Sequence, residues 1–93
     1  MLLLPATLTA REARDTLRML TQAIQAQVDG VVVDASSLVQ FDTAALSVLL
    51  ECQRQALAWG KVFAVREPPA KLTALAKLYG VDVLLMRPAT APA

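Results

Sequence analysis

Eight carboxylates, one cysteine and no histidine make up most of the stock from which this chain could build an acid–base site. The missing histidine removes the commonest general base and the commonest metal ligand. The carboxylates are Glu12, Asp15, Asp29, Asp34, Asp42, Glu51, Glu67 and Asp82. A catalytic pair needs two of them to converge. Asp34, closing an expected strand, and Asp42, opening an expected helix, are the pair that could do so. A turn residue plus a helix cap accounts for both more simply. Cys52 falls on an apolar helical face with nothing nearby to lower its pKa, so it reads as a buried structural thiol. A single cysteine also excludes an internal disulfide and a CxxC zinc site. Gly30, Gly60 and Gly80 each follow an expected helix, and none belongs to a GxGxxG or Walker loop. Neither a metal nor a cofactor is expected, and no enzyme activity.

One segment stands out: Val39-Gln40-Phe41-Asp42-Thr43-Ala44-Ala45-Leu46-Ser47-Val48-Leu49-Leu50. It sets a hydroxyl, just after an acid, at the start of an apolar helix. A plain N-cap worth ~1 kcal/mol is one reading. A regulated or partner-contacting hydroxyl is the other. A phosphate there would meet free backbone amides and carry about two negative charges into any docked surface. Spacing alone favours the cap.

The elements that position this segment follow from periodicity. Leu2 to Leu4 is a short apolar run read as a strand that extends toward Leu8. Thr9-Ala10-Arg11-Glu12 has the form of a capping box. Ala13, Leu17, Leu20, Ile24 and Val28 then recur every three or four residues, which predicts an amphipathic helix ended by Asp29-Gly30. Arg11, Arg14, Asp15, Arg18, Gln22 and Gln25 fall on its wet side. Val31-Val32-Val33 predicts a strand covered on both faces, or nearly so. A second helix is expected from about Thr43 to Trp59, with Ala45, Leu46, Leu49, Cys52, Ala56 and Leu57 inside and Gly60 as its stop. Lys61 to Val65 is the next strand. Pro68-Pro69 turns into a third helix with Leu72, Leu75, Ala76 and Tyr79 inside. Val81 to Leu85 is read as a final strand. The expected fold is α/β: a single domain over residues 1–86, with a mixed sheet of about four strands covered by three helices. Val31–Val33 and Val62–Val65 are its expected central strands. Residues 87–93, with two prolines and no period, read as a disordered tail.

Composition narrows the function. At 93 residues the chain holds one core. A hydrophobic fraction of 56% is far too high for disorder. Nine basic residues against eight acidic give +1, with no footprint for nucleic acid. Met1-Leu2-Leu3-Leu4 is broken by Pro5 and followed by Arg11 and Glu12, which does not make a secretory signal. No window has the length and apolarity of a spanning helix, so a cytoplasmic chain without direct membrane insertion is expected.

Asp42-Thr43 followed by two small residues and leucine, opening an apolar helix after a strand, resembles the STAS domain family (sulfate transporter and anti-sigma factor antagonist). Leu75-Ala76-Lys77-Leu78-Tyr79-Gly80-Val81-Asp82-Val83-Leu84 looks like the C-terminal part of the STAS subunit of the Mla phospholipid ABC transporter. Leu4-Pro5-Ala6-Thr7-Leu8-Thr9 is similar to that group's second strand running into its first helix. The resemblance runs from Leu2 to Leu85. Two features depart from it. Ala45 stands where the family usually has glycine, and the usual first strand is missing or reduced to the opening residues.

That resemblance implies a non-catalytic binding module. In the Mla group such a subunit sits on the cytoplasmic ATPase, and through it on the permease, of a transporter that maintains outer-membrane lipid asymmetry. It supports assembly and activity there, peripheral at the inner membrane through its partner. The resemblance also makes Thr43 the key interface or phosphorylatable hydroxyl. The expected partner-binding residues are Gln40, Asp42, Thr43, Ala44, Ser47 and Glu51. The alternative within the same family is an anti-sigma factor antagonist, a phosphorylation-regulated partner switch. Thr43 in place of serine, and the Ala-Lys-Leu-Tyr segment, lean toward the transporter.

Overall fold

A computed structural model describes residues 1–28 and 30–85 of the chain. Met86 and the expected tail over 87–93 lie outside the described residues. The elements in chain order are β1 (Leu2–Leu3), β2 (Thr7–Leu8), α1 (Ala10–Ala26), β3 (Gly30–Asp34), β4 (Gln40–Phe41), α2 (Thr43–Ala58), β5 (Val62–Arg66), α3 (Ala70–Leu78) and α4 (Asp82–Leu85).

Every strand pair among the described residues is parallel, where a mixed sheet was expected. One sheet has the order β1-β3-β5, and a two-stranded sheet pairs β2 with β4. In the first, Leu2 lies opposite Val33, and Val31 and Val33 lie opposite Phe63 and Val65. β3 is central as expected. β5 is an edge strand, because the segment expected to pair beyond it forms α4 instead. The opening run also divides: Leu4 donates its N–H to the Asp34 carbonyl at 3.0 Å, and after Pro5 the chain joins the other sheet. Proline, with no N–H to offer a ladder, marks the change of sheet.

β3 alternates between buried and half-buried residues, so its two faces are not equally covered. Val31 and Val33 enter the core, whereas Val32 is half-buried and Leu3, on the same open face, is exposed. The core joins Leu2, Leu8, Val31, Val33 and Phe63 from the strands to Leu20, Ile24, Leu49 and Leu72 from the helices.

α1 forms as its local signals dictate. Thr9 and Glu12 make the capping box, with the Thr9 N–H donating to Glu12 Oε1 at 2.9 Å. Leu20 and Ile24 are buried, and Ala13 and Leu17 are half-buried against the core. The helix stops at Ala26, short of the expected Asp29-Gly30, and Val28 is exposed. Gln27 turns extended at the C-cap, and Lys61 Nζ donates to the Ile24 carbonyl at 2.7 Å. A lysine from the next crossover thus caps this end, and Gly30 begins β3 instead. In α2, Val48 is buried in place of the expected Leu57, which is exposed.

The largest correction is at the C-terminal end. Val81 to Leu85 is not a strand. A left-handed turn at Gly80 (φ 71°) leads into α4, and the Leu85 N–H donates to the Val81 carbonyl at 3.0 Å. Val81 is half-buried and Leu85 fully buried, while Val83 and Leu84 between them are exposed. That is burial at positions i and i+4, the helical period, where a strand would have buried Val83 too. A fourth helix therefore joins the three expected. Tyr79, placed inside α3 by periodicity, is 60% exposed, and only Leu72 and Ala76 are buried there.

A candidate docking site at the start of α2

Asp42 joins two helices. It is the N-cap of α2, extended at φ −131° and ψ −162°, and its Oδ1 accepts from the Ala44 N–H at 2.8 Å. Its Oδ2 accepts from the Ala10 N–H at 3.4 Å, so the first turns of α1 and α2 share one carboxylate. The parallel pairing of β2 with β4, which sets Leu8 opposite Phe41, brings the two helix starts together. The aspartate therefore supplies the cap, and the Thr43 side chain is left exposed on the first residue of α2.

Thr43 stands on a ridge between two shallow depressions. One, of about 420 Å³, lies between the start of α2 and α3 and is lined by Phe41, Asp42, Thr43, Lys71, Ala74, Leu75 and Leu78. The second, of about 310 Å³, is lined by Thr43, Leu46, Ser47, Leu50, Tyr79 and Val81. Leu78 is 76% exposed and Tyr79 60%, so two large side chains at the end of α3 face solvent beside this ridge.

The expected partner residues are only partly gathered here. Asp42, Thr43 and Ser47 line the depressions. Gln40 is exposed in β4, its N–H held by the Ala6 carbonyl at 2.9 Å. Ala44 is half-buried and lines neither depression. Glu51 lies further along α2 and is committed within it. It accepts from Arg54 Nε at 2.9 Å and from Gln55 Nε2 at 3.2 Å. The Arg54 hydrogen bonds, with help from Gln55, hold its carboxyl down at about 2. Lys71, Leu78 and Tyr79 of α3 and its C-cap were not in the expected set. Leu78, an apolar residue beyond the inner stripe of α3, was the available signal.

The other chemical candidates sit in structural roles. Asp34 Oδ1 accepts from the Ser36 N–H at 2.8 Å, an Asx turn, and hydrogen bonding from the Ser36 side chain, then from this N–H, lowers its carboxyl below the ordinary value. Asp42 is the shared cap just described. Cys52 is fully buried, and desolvation pushes its thiol up to about 12, far from any reactive thiolate. No described helix is long and apolar enough to cross a membrane.

No curated protein matches the chain. A family model described as "Mlab, STAS domain" matches residues 1–87, nearly all of the sequence. With Asp42 and Thr43 opening α2 after a parallel β–α–β frame, this chain belongs to the STAS domain family.

Proposed function

We propose that the chain is a non-catalytic docking subunit that binds the cytoplasmic ATPase of a phospholipid ABC transporter. Through that ATPase it contacts the permease, stays peripheral at the inner membrane and supports the assembly and activity of the complex. The observation that carries this reading is the exposed Thr43 between two apolar depressions, with Leu78 and Tyr79 exposed beside it. A surface with few charges and large apolar side chains at its centre suits a protein partner. The matched family description, and the Ala76-Lys77-Leu78-Tyr79 segment whose Leu78 and Tyr79 line the two depressions, support this partner class.

An exposed hydroxyl at a helix start also favours a second reading in the same family. In it Thr43 is phosphorylated and the chain is an anti-sigma factor antagonist. Copurification separates the two: an ATPase with a permease supports the first, a kinase-like anti-sigma factor the second.

The deciding experiment is binding of Thr43→Glu to the copurifying ATPase. A charge desolvated at the centre of the contact should weaken binding by at least ~2 kcal/mol. The variant should still fold, because Asp42 supplies the cap. Wild-type affinity from a folded Thr43→Glu would move the interface elsewhere. As a check on the absence of catalysis, Asp34→Asn should leave the function of the assembled complex intact.

A further inference from the structure

The opposite flank of α2 carries a larger groove, of about 620 Å³, between α1 and α2. Its floor is Ala13 and Leu17 of α1 with Val48 of α2, and Arg14 and Arg18 stand on its rim. Ala13 and Arg14 begin the groove and Gln22 ends it, a run of about 14 Å along α1. Arg14 and Arg18 are exposed, one turn apart, and Arg11 continues the same side toward the helix start. The one ion pair among the described residues is Glu51–Arg54, so neither rim arginine has a carboxylate partner among the described residues. The lining contains no acidic residue. Asp15, three residues before Arg18 and four after Arg11, neighbours both on the helix surface but lies outside the groove lining and makes no ion pair with either.

We infer that this groove seats an acidic amphipathic helix of a protein partner, with apolar side chains on Leu17 and Val48 and carboxylates against Arg14 and Arg18. Two helical walls over an apolar floor fit a third helix, which would supply anchors at i, i+3, i+4 and i+7. Arginines with open guanidinium forks select carboxylates and set the register. A second copy of this chain is a poor occupant, since the outer side of α3 carries Lys71 and Lys77 and the carboxylate of Glu51 is already paired. The surface is separate from the Thr43 ridge, although Ser47 lies at the edge of both.

The test uses two synthetic 18-residue amphipathic helices with one leucine stripe, flanked in one by glutamates and in the other by lysines. Nitrogen-15 spectra of the full chain would report where each binds. The glutamate peptide should bind at least tenfold more tightly at low salt, lose that advantage as salt rises, and shift the amides of residues 13–22 and 47–48. Arg14→Glu with Arg18→Glu should reverse the preference. Arg14→Lys with Arg18→Lys should retain it. If the double charge reversal does not fold, Arg14→Gln with Arg18→Gln should abolish the discrimination. Thr43→Glu should leave peptide binding unchanged, which separates this groove from the ridge. Equal binding of the two peptides, shifts centred on α3, self-association through residues 13–22, or binding of phosphatidylglycerol vesicles lost with the two arginines would each overturn the inference.

Discussion

The two helices that flank α2 are finished differently. α1 has a reciprocal capping box at its start, a lysine on its last carbonyls and arginines on its outer side. α3 begins at Pro69 with no side-chain cap, and its far end leaves Leu78 and Tyr79 in solvent. Both still bury two core residues one turn apart: Leu20 and Ile24 from α1, Leu72 and Ala76 from α3. Burial of these inner residues holds each helix in place, so the exposed apolar pair on α3 is not needed for the fold. The contrast separates a flank that would attract by charge from one that would attract by desolvation.

The largest effect should come from a change that ignores this contrast. Leu49 is fully buried in α2, beneath both flanks. Leu49→Ala should destabilise the domain by ~2–5 kcal/mol through the cavity it leaves. An unchanged melting temperature would mean that α2 packs with its other side inward. Next in size, Leu78→Asp acts on α3 alone. It should cost the proposed ATPase partner ~2 kcal/mol of affinity while stability moves by no more than ~0.5 kcal/mol. A large fall in stability with binding intact would make Leu78 a core residue, and the two flanks would no longer differ.

The parts of this fold that sequence reasoning found are those whose cause is local. Thr9 with Glu12, and apolar residues from Ala13 to Ile24, predict α1 because cap and stripe are written within one helix. Asp42 and Thr43 were legible for the same reason. Val81 to Leu85 was not. Five residues rich in valine and leucine fit either period, and the burial of Leu85, a tertiary fact, decides for the helix. The exposure of Leu57 and Tyr79 also depends on where neighbouring elements end. β2 and β4 are two residues each, too short for any period, and exist because the turns around them bring their backbones together. In the candidate site, the α2 half was visible in the sequence. The α3 half depends on how α3 docks, which no spacing within α2 reports.

A smaller effect tests the finish of α1. Thr9 Oγ1 accepts from the Arg11 N–H at 3.4 Å and donates to Glu12 Oε1 at 2.6 Å. Thr9→Ala should remove ~1 kcal/mol of stability, read by urea denaturation, and raise amide exchange in the first turn of α1. The corresponding residue of α3, Pro69, donates nothing to lose, so Pro69→Ala should not imitate this loss by removing a cap. No change from Thr9→Ala would mean that packing on α2 alone holds the start of α1, and the two helices would be finished alike after all.

The smallest effect concerns charge on α2 itself, between the two flanks. Glu51 has its carboxyl lowered from the ordinary 4.5 to about 2, first by the Arg54 hydrogen bonds and then by Gln55. A carboxyl with a lower pKa folded than unfolded binds fewer protons in the native state. Its contribution is therefore complete above about pH 4.5 and is lost as pH falls toward 2. The Arg54 side chain is 68% exposed, so water and salt screen the pair and the loss is slight. Glu12, lowered by its bonds to Thr9, should add to the same acid limb. Glu51→Gln should flatten part of that limb without changing stability near neutrality by much, and added salt should shrink the difference. A variant whose acid limb matched the wild type at low salt would show that Glu51 and Arg54 do not hold each other in solution. Glu51 would then be a free carboxylate further along α2, available to a partner as the STAS resemblance implied.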